Sequence, residues 1–360
     1  MQEEFDALQR NHTWTLVPRP LRANVICGKW VFRHKTRSDG TLECYKARWV
    51  VRGFRERAGV DFTETFASIV KPGTIHTVLQ LAVSRGWPVH QMDVSNAFVH
   101  DHLEEQRIAG FLQTLGFSVT HSGTSLFVYR HGDTTAYLLL YVDDIILTAS
   151  STTLLQQITL RLCDEFAIKD LGALHYFLGI EVVRRPDGFF LHQQKYAHEL
   201  LERVGMLNCH PVATPVDTKA KVSALEGLPA SDAPFYRYIV GALQYLTLTR
   251  SDLQYAVQQV CLHMHALRDS RWTLVKRILC YICGTMTLGL TLMASASLEM
   301  VAYSDADWAG CPGTRRSTSG YCVYLSPSLV SWSSKRQPTI LRSSVEAEYR
   351  AVANAVAECT

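Results

Sequence analysis

Ala136-Tyr137-Leu138-Leu139-Leu140-Tyr141-Val142-Asp143-Asp144-Ile145-Ile146-Leu147 is the stretch that decides the reading of this chain. Both apolar flanks read as buried β-strand, so the two aspartates fall at a tight turn between them. Adjacent carboxylates at the edge of a core repel each other and resist desolvation unless a cation neutralises them. The hairpin is therefore a candidate metal site, with a solvated Asp-Asp turn as the plain alternative.

A second acidic segment lies upstream, Val89-His90-Gln91-Met92-Asp93-Val94-Ser95-Asn96-Ala97-Phe98. It places Asp93 at the end of another short apolar strand. Two such strands side by side would hold Asp93, Asp143 and Asp144 around two Mg²⁺ ions, a cation that favours a few carboxylates plus waters and phosphates. Two ions ~4 Å apart can activate a 3′-hydroxyl and stabilise departing pyrophosphate, which is the chemistry of nucleotidyl transfer.

Further segments extend the pattern along the chain. They are Gly28-Lys29-Trp30-Val31-Phe32, Tyr45-Lys46-Ala47-Arg48-Trp49-Val50-Val51-Arg52-Gly53-Phe54, Phe177-Leu178-Gly179-Ile180, Tyr238-Ile239-Val240-Gly241-Ala242-Leu243-Gln244-Tyr245-Leu246, Tyr303-Ser304-Asp305-Ala306-Asp307-Trp308-Ala309-Gly310 and Ser343-Ser344-Val345-Glu346-Ala347-Glu348-Tyr349. In this order, with the two acidic segments, they resemble the reverse transcriptase of copia-type LTR retrotransposon polyproteins, followed by part of a ribonuclease H domain.

The resemblance implies an α+β fold: right-hand polymerase fingers and a ferredoxin-like palm over 1–210, a helical thumb and connection over 211–298, and the first half of an α/β ribonuclease H-like domain over 299–360. It implies RNA-directed DNA polymerase activity with two Mg²⁺ ions, for which Mn²⁺ can substitute, held by Asp93, Asp143, Asp144 and the Val94 carbonyl. Phe98 takes the aromatic position that excludes a 2′-hydroxyl, and an ordinary core aromatic is its alternative. Lys46 and Arg48 match cations that neutralise the triphosphate; a solvated basic strand is equally compatible. Lys169 matches a lysine that protonates pyrophosphate, or is a surface lysine paired with Asp170. Phe177, Leu178, Gly179 and Ile180 resemble the primer grip, with a hairpin turning at Pro186-Asp187-Gly188. Asp305 and Glu348 match two of the four metal-binding acids of ribonuclease H. The implied partners are an RNA template, a DNA or tRNA primer and deoxynucleoside triphosphates, in a cytoplasmic or nuclear retroelement particle. Oligomeric state is left open.

Two departures from the family pattern stand out. After His102-Leu103-Glu104-Glu105-Gln106 the family continues for a few dozen residues, including a Ser-Leu-Tyr-Gly-Leu-Lys-Gln-Ala-Pro segment beneath the templating base pair. Its absence here should remove a palm strand, shorten a palm helix and open the nucleotide pocket, at a cost in the preorganisation that catalysis needs. The family also has arginine where this chain has Cys44, Cys280, Cys283 and His76, the pattern left by decay of methylated CG codons. Both departures point to a defective copy, with a catalytically dead remnant that at most binds nucleic acid as the second reading.

Bulk properties fit. The chain has 360 residues, 47% of them hydrophobic, enough for two or three globular domains. A net charge of +3 is small, but basic residues crowd the segment from Lys29 to Arg57, which suits phosphate contacts. No run is apolar enough to span a membrane and the start is no secretory signal. Ten scattered cysteines read as reduced thiols, and Cys280-Tyr281-Ile282-Cys283 as a lone CxxC with little claim on zinc. Helices are expected over Ile75 to Ser84, Arg107 to Leu115, Thr153 to Phe166 and within Phe235 to Thr287. Another should start at Ser344, behind a Ser343–Glu346 capping box, with Val345, Tyr349, Val352 and Val356 as its apolar stripe.

Overall fold

A computed structural model describes residues 17–18, 25–36, 41–52, 57, 70–94, 104–120, 123–166, 168–217, 232–264, 268 and 270–360. Strands β1 (Gly28–Thr36) and β2 (Leu42–Val51) form an antiparallel hairpin that carries the basic segment. Helix α1 (Pro72–Arg85) opens on Pro72 in its first turn, where a missing N–H costs nothing, and stops at Gly86 in the left-handed region.

The central sheet has six strands: β3 (Val89–Val94), β4 (Phe117–Thr120), β5 (Gly123–His131), β6 (Thr134–Tyr141), β7 (Asp144–Ala149) and β8 (Ile168–Ala173). Their order is β4-β5-β6-β7-β3-β8, antiparallel throughout. Both faces are buried, which explains the continuous apolar runs of β6 and β7. Leu138, Leu140, Ile145 and Leu147 face one core, with helices α2 (Glu104–Thr114) and α3 (Thr152–Glu165) supplying Ile108, Leu112, Leu155, Ile158 and Leu162. Leu139 and Ile146 face a second core, where α1 adds Ile75, Val78, Leu79 and Ala82. Each of these leucines, isoleucines and valines contributes about 2 kcal/mol by leaving water. The Ser151 hydroxyl caps α3 by accepting from the Leu154 amide at 3.2 Å.

A second, four-stranded sheet follows: β9 (Tyr176–Phe177), β10 (Ile180–Arg185), β11 (Gly188–His192) and β12 (Leu290–Met293), in the order β12-β11-β10-β9. The expected hairpin at Pro186-Asp187-Gly188 joins β10 to β11. Helices α4 (Gln194–Arg203), α5 (Ala233–Leu246), α6 (Gln254–Cys261) and α7 (Ser270–Gly284) build one helical core around Tyr236, Leu243, Val257 and Ile278. Strand β12, distant in sequence, completes the sheet by pairing with β11.

The tail forms a three-stranded sheet, β13 (Met300–Ala306), β14 (Thr318–Leu325) and β15 (Ser328–Arg336), and then α8 (Ser344–Cys359). The cap at Ser343 is as expected, its hydroxyl accepting from the Glu346 amide at 3.2 Å. The Glu346 carboxylate instead accepts from the Arg342 amide at 3.0 Å, one residue before the capping-box position. The apolar stripe is a correction. Val345, Tyr349, Val352 and Val356 are exposed, whereas Ala347, Ala351 and Ala355 are the buried face. Small side chains let the helix backbone approach the sheet closely, and that requirement overrides hydrophobicity.

The tail packs on α1. His76 is buried, its Nδ1 lies 2.9 Å from the Val330 carbonyl oxygen, and its ring stacks on Trp332 at 5.3 Å and 9°. Burial holds its imidazole neutral, pushing the pKa down to about 4. The mixture of helices and antiparallel sheets matches the α+β expectation.

Candidate active site

Strands β6 and β7 pair up to Tyr141 opposite Asp144, which leaves Val142 and Asp143 as a two-residue turn. Val142 has φ 54°, a left-handed conformation costly for a β-branched residue and normally left to glycine. Such strain persists only where surrounding structure enforces it, and it gathers at functional sites. Part of the enforcement is visible: the Val94 amide donates to the Asp143 carbonyl at 2.7 Å, tying the turn to the end of β3.

The register then sets the acids. Asp93 on β3 lies opposite Asp144 on β7. On its other side Asp93 lies opposite Lys169 on β8. Asp93, Asp143 and Asp144 are half-buried and Lys169 is exposed. Burial pushes the Asp144 carboxyl up to about 6, and the charges of Asp93 and Asp143 add to the rise. A hydrogen bond from the buried Gln91 side chain opposes it. Hard oxygen donors that repel one another in this way suit a divalent cation. Among the described residues, however, no group of three or more His, Cys, Asp or Glu side chains is arranged to hold a metal ion as it stands.

Asp170, the alternative partner for Lys169, is engaged elsewhere. Its Oδ1 accepts from the Gly172 amide at 2.8 Å and lies 3.6 Å from His90 Nδ1. Lys46 and Arg48 lie on β2, opposite Arg33 and Val31. Phe98 falls outside the described residues. Phe177 and Ile180 pair across the β9–β10 turn and are buried in the second core. Leu178 and Gly179 form that turn with φ 47° and 68°. In the tail, Asp305 is exposed on β13 and Glu348 is half-buried on α8, which packs against β13.

Three contributors escaped the sequence reading. Gln91 stands two residues before Asp93 and so on the same face of β3, a period-two signal that was open to view. The strain at Val142 had no signal, since valine is unusual in a turn. The Tyr245 hydroxyl donates to the Leu178 carbonyl from 67 residues away, and only tertiary structure brings the two together.

Comparison with known proteins adds independent support. The profile of the family described as reverse transcriptase (RNA-dependent DNA polymerase) matches residues 11–109 and 104–218. The Retrovirus-related Pol polyprotein from transposon RE2 of Arabidopsis thaliana is 41% identical over 396 positions, covering 99% of this chain and 27% of its own length. The corresponding polyprotein from transposon TNT 1-94 of Nicotiana tabacum is 33% identical over 97% of this chain and 30% of its own length. An uncharacterised mitochondrial protein of Arabidopsis thaliana is 50% identical over 62% of this chain and 93% of its own length. The chain thus spans about a quarter of the length of the polyproteins it matches. An alignment of 396 positions to a chain of 360 residues leaves at least 36 positions of the RE2 polyprotein without a counterpart here. The two family matches meet at 104–109, where the sequence pattern lacks its middle. With the paired acidic strands and these matches together, the chain belongs to the reverse transcriptase family, as a reverse transcriptase domain of the copia-type retrotransposon Pol polyproteins.

Proposed function

We propose that this chain is an RNA-directed DNA polymerase that works by two-metal nucleotidyl transfer and is impaired in this copy. The observation that carries the reading is the register that sets Asp93 opposite Asp144, with Asp143 in the turn bonded to β3 through the Val94 amide. The Asp93, Asp143 and Asp144 carboxylates and the Val94 carbonyl would hold Mg²⁺, or Mn²⁺ in its place. When bound, the cations supply charge stabilisation for the attacking 3′-oxygen and the leaving pyrophosphate.

The rest is the work of this chain's own residues. Lys169, on β8 directly opposite Asp93 of β3, would give a proton to departing pyrophosphate. Lys46 and Arg48 on the basic hairpin would neutralise the triphosphate, and Phe98 would exclude a ribose 2′-hydroxyl by bulk. Residues 177–180 would hold the primer terminus. In hand-like terms, residues 1–210 act as fingers and palm and 211–298 as thumb and connection. Residues 299–360 act as a partial ribonuclease H unit carrying Asp305 and Glu348. RNA template, DNA or tRNA primer and deoxynucleoside triphosphates are the substrates. The positions missing near 104–109 leave the pocket beneath the templating pair under-built, which lowers the rate.

The test is primer extension with deoxynucleotides on an RNA template in Mg²⁺, beside Asp143→Asn. The expected result is slow extension that the substitution abolishes, a loss of at least about a hundredfold. Folded protein that extends nothing would overturn the catalytic reading.

A further inference from the structure

We propose that Tyr245 is a positioning residue that latches the β9–β10 turn to α5, and so sets where a primer terminus meets the acidic site. This rests on the polymerase reading above. The turn holds two consecutive residues in the left-handed region, Leu178 and Gly179. Two-residue hairpins favour that geometry, but leucine pays for it and does not hold it unaided. The external partner is Tyr245, whose hydroxyl donates to the Leu178 carbonyl.

The ring itself lies against the turn. A Cβ added at Gly179 would stand 2.7 Å from the Tyr245 hydroxyl oxygen and 3.1 Å from its Cε1. Glycine at 179 thus serves both the φ of the turn and the approach of the ring. Tyr245 is anchored in turn. Its carbonyl accepts from Gln193 Nε2 at 3.2 Å, and Gln193 Oε1 accepts from the Thr249 hydroxyl at 2.9 Å. Its ring meets Tyr196 edge-on at 5.0 Å. Gln193 and Thr249 are buried, so this relay is shielded from competing water. The hydroxyl stays a donor at any working pH, since burial pushes it up to about 12. Tyr141, at the mouth of the acidic turn, and Leu178 pack against the same hydrophobic core, which puts the latch on the side of the acidic turn. These contacts tie the turn to helix α5.

The experiment uses Tyr245→Phe in the full chain, which keeps the ring and deletes only the donor. Amide exchange across Gly179–Val182 should quicken about tenfold while α5 and β3 keep their protection. The preference for a recessed 3′ primer end over single-stranded RNA, read by fluorescence anisotropy, should fall about tenfold. Gly179→Ala, which pushes the ring from the other side, should move both readouts in the same direction. Unchanged exchange in Tyr245→Phe overturns the latch. Faster exchange with an unchanged primer-end preference, or a parent chain with no such preference, overturns the positioning role. Both readouts are independent of catalysis, so a parent chain that fails to extend a primer removes the polymerase reading without deciding this one.

Discussion

Two residues titrate against each other across the same pH window. His76 has a folded pKa of about 4 against an ordinary 6.5, so between these values the unfolded chain binds the extra proton and stability rises with pH. The full effect is about 3 kcal/mol for this buried ring. Asp144 runs the other way. Its folded pKa of about 6 lies above the ordinary 3.8, so stability falls as pH rises through that range. Because the carboxyl is partly exposed, solvent screening reduces its share to about 1 kcal/mol. Asp144→Asn in EDTA should therefore raise stability at pH 7 by about 1 kcal/mol and steepen the rise between pH 4 and 6.5. Urea denaturation at a series of pH values checks both; a flatter profile in the variant would contradict the assignment. The Asp144 half was legible in the sequence as paired carboxylates at a core edge; the His76 half was not, because His76 meets Val330 and Trp332 across some 250 residues.

Elements were legible where periodicity and burial agree. The acidic hairpin declared itself because two buried faces demand two unbroken apolar runs around a polar turn. Helix α3 did so because Leu154, Leu155, Ile158 and Leu162 repeat at helical spacing; Leu155, Ile158 and Leu162 are buried together with Thr159, and Leu154 is partly buried. Helix α8 misled for the opposite reason: its closest contacts use alanines, and its larger side chains face solvent. Its cap remains a local matter, and Ser343→Ala should cost about 1 kcal/mol in thermal denaturation. The β10–β11 hairpin is less forgiving. A Cβ at Gly188 would strike the Leu292 carbonyl oxygen, so Gly188→Ala must break the pairing of β11 with β12. A loss of more than about 2 kcal/mol is expected, with a lowered denaturation midpoint as the readout. Strand β12 itself was invisible as a partner, since nothing in Leu290–Met293 names the strand it joins.

At the scale of the molecule, helix α1 serves the central sheet and the tail together. Its Ile75, Val78 and Leu79 belong to the second core, and Leu329 and Trp332 of β15 pack against that same core. Removing residues 299–360 should therefore uncover His76 and return its imidazole toward an ordinary pKa, which NMR titration of the ring would register. The basic hairpin predicts a binding signature as well. Affinity for primer–template should fall steeply as salt rises from 50 to 200 mM, as counterion release requires. A salt-insensitive affinity would remove the hairpin from the interface.

The acidic turn finally bears on how such a chain ages. Strands β6 and β7 form the wall between two cores, so folding alone preserves their apolar residues whether or not any DNA is made. Asp143 and Asp144 have no such protection, because their mutual repulsion works against the fold. In drifting relatives the flanks would outlive their use, and the turn would be the first place where loss of catalysis is written.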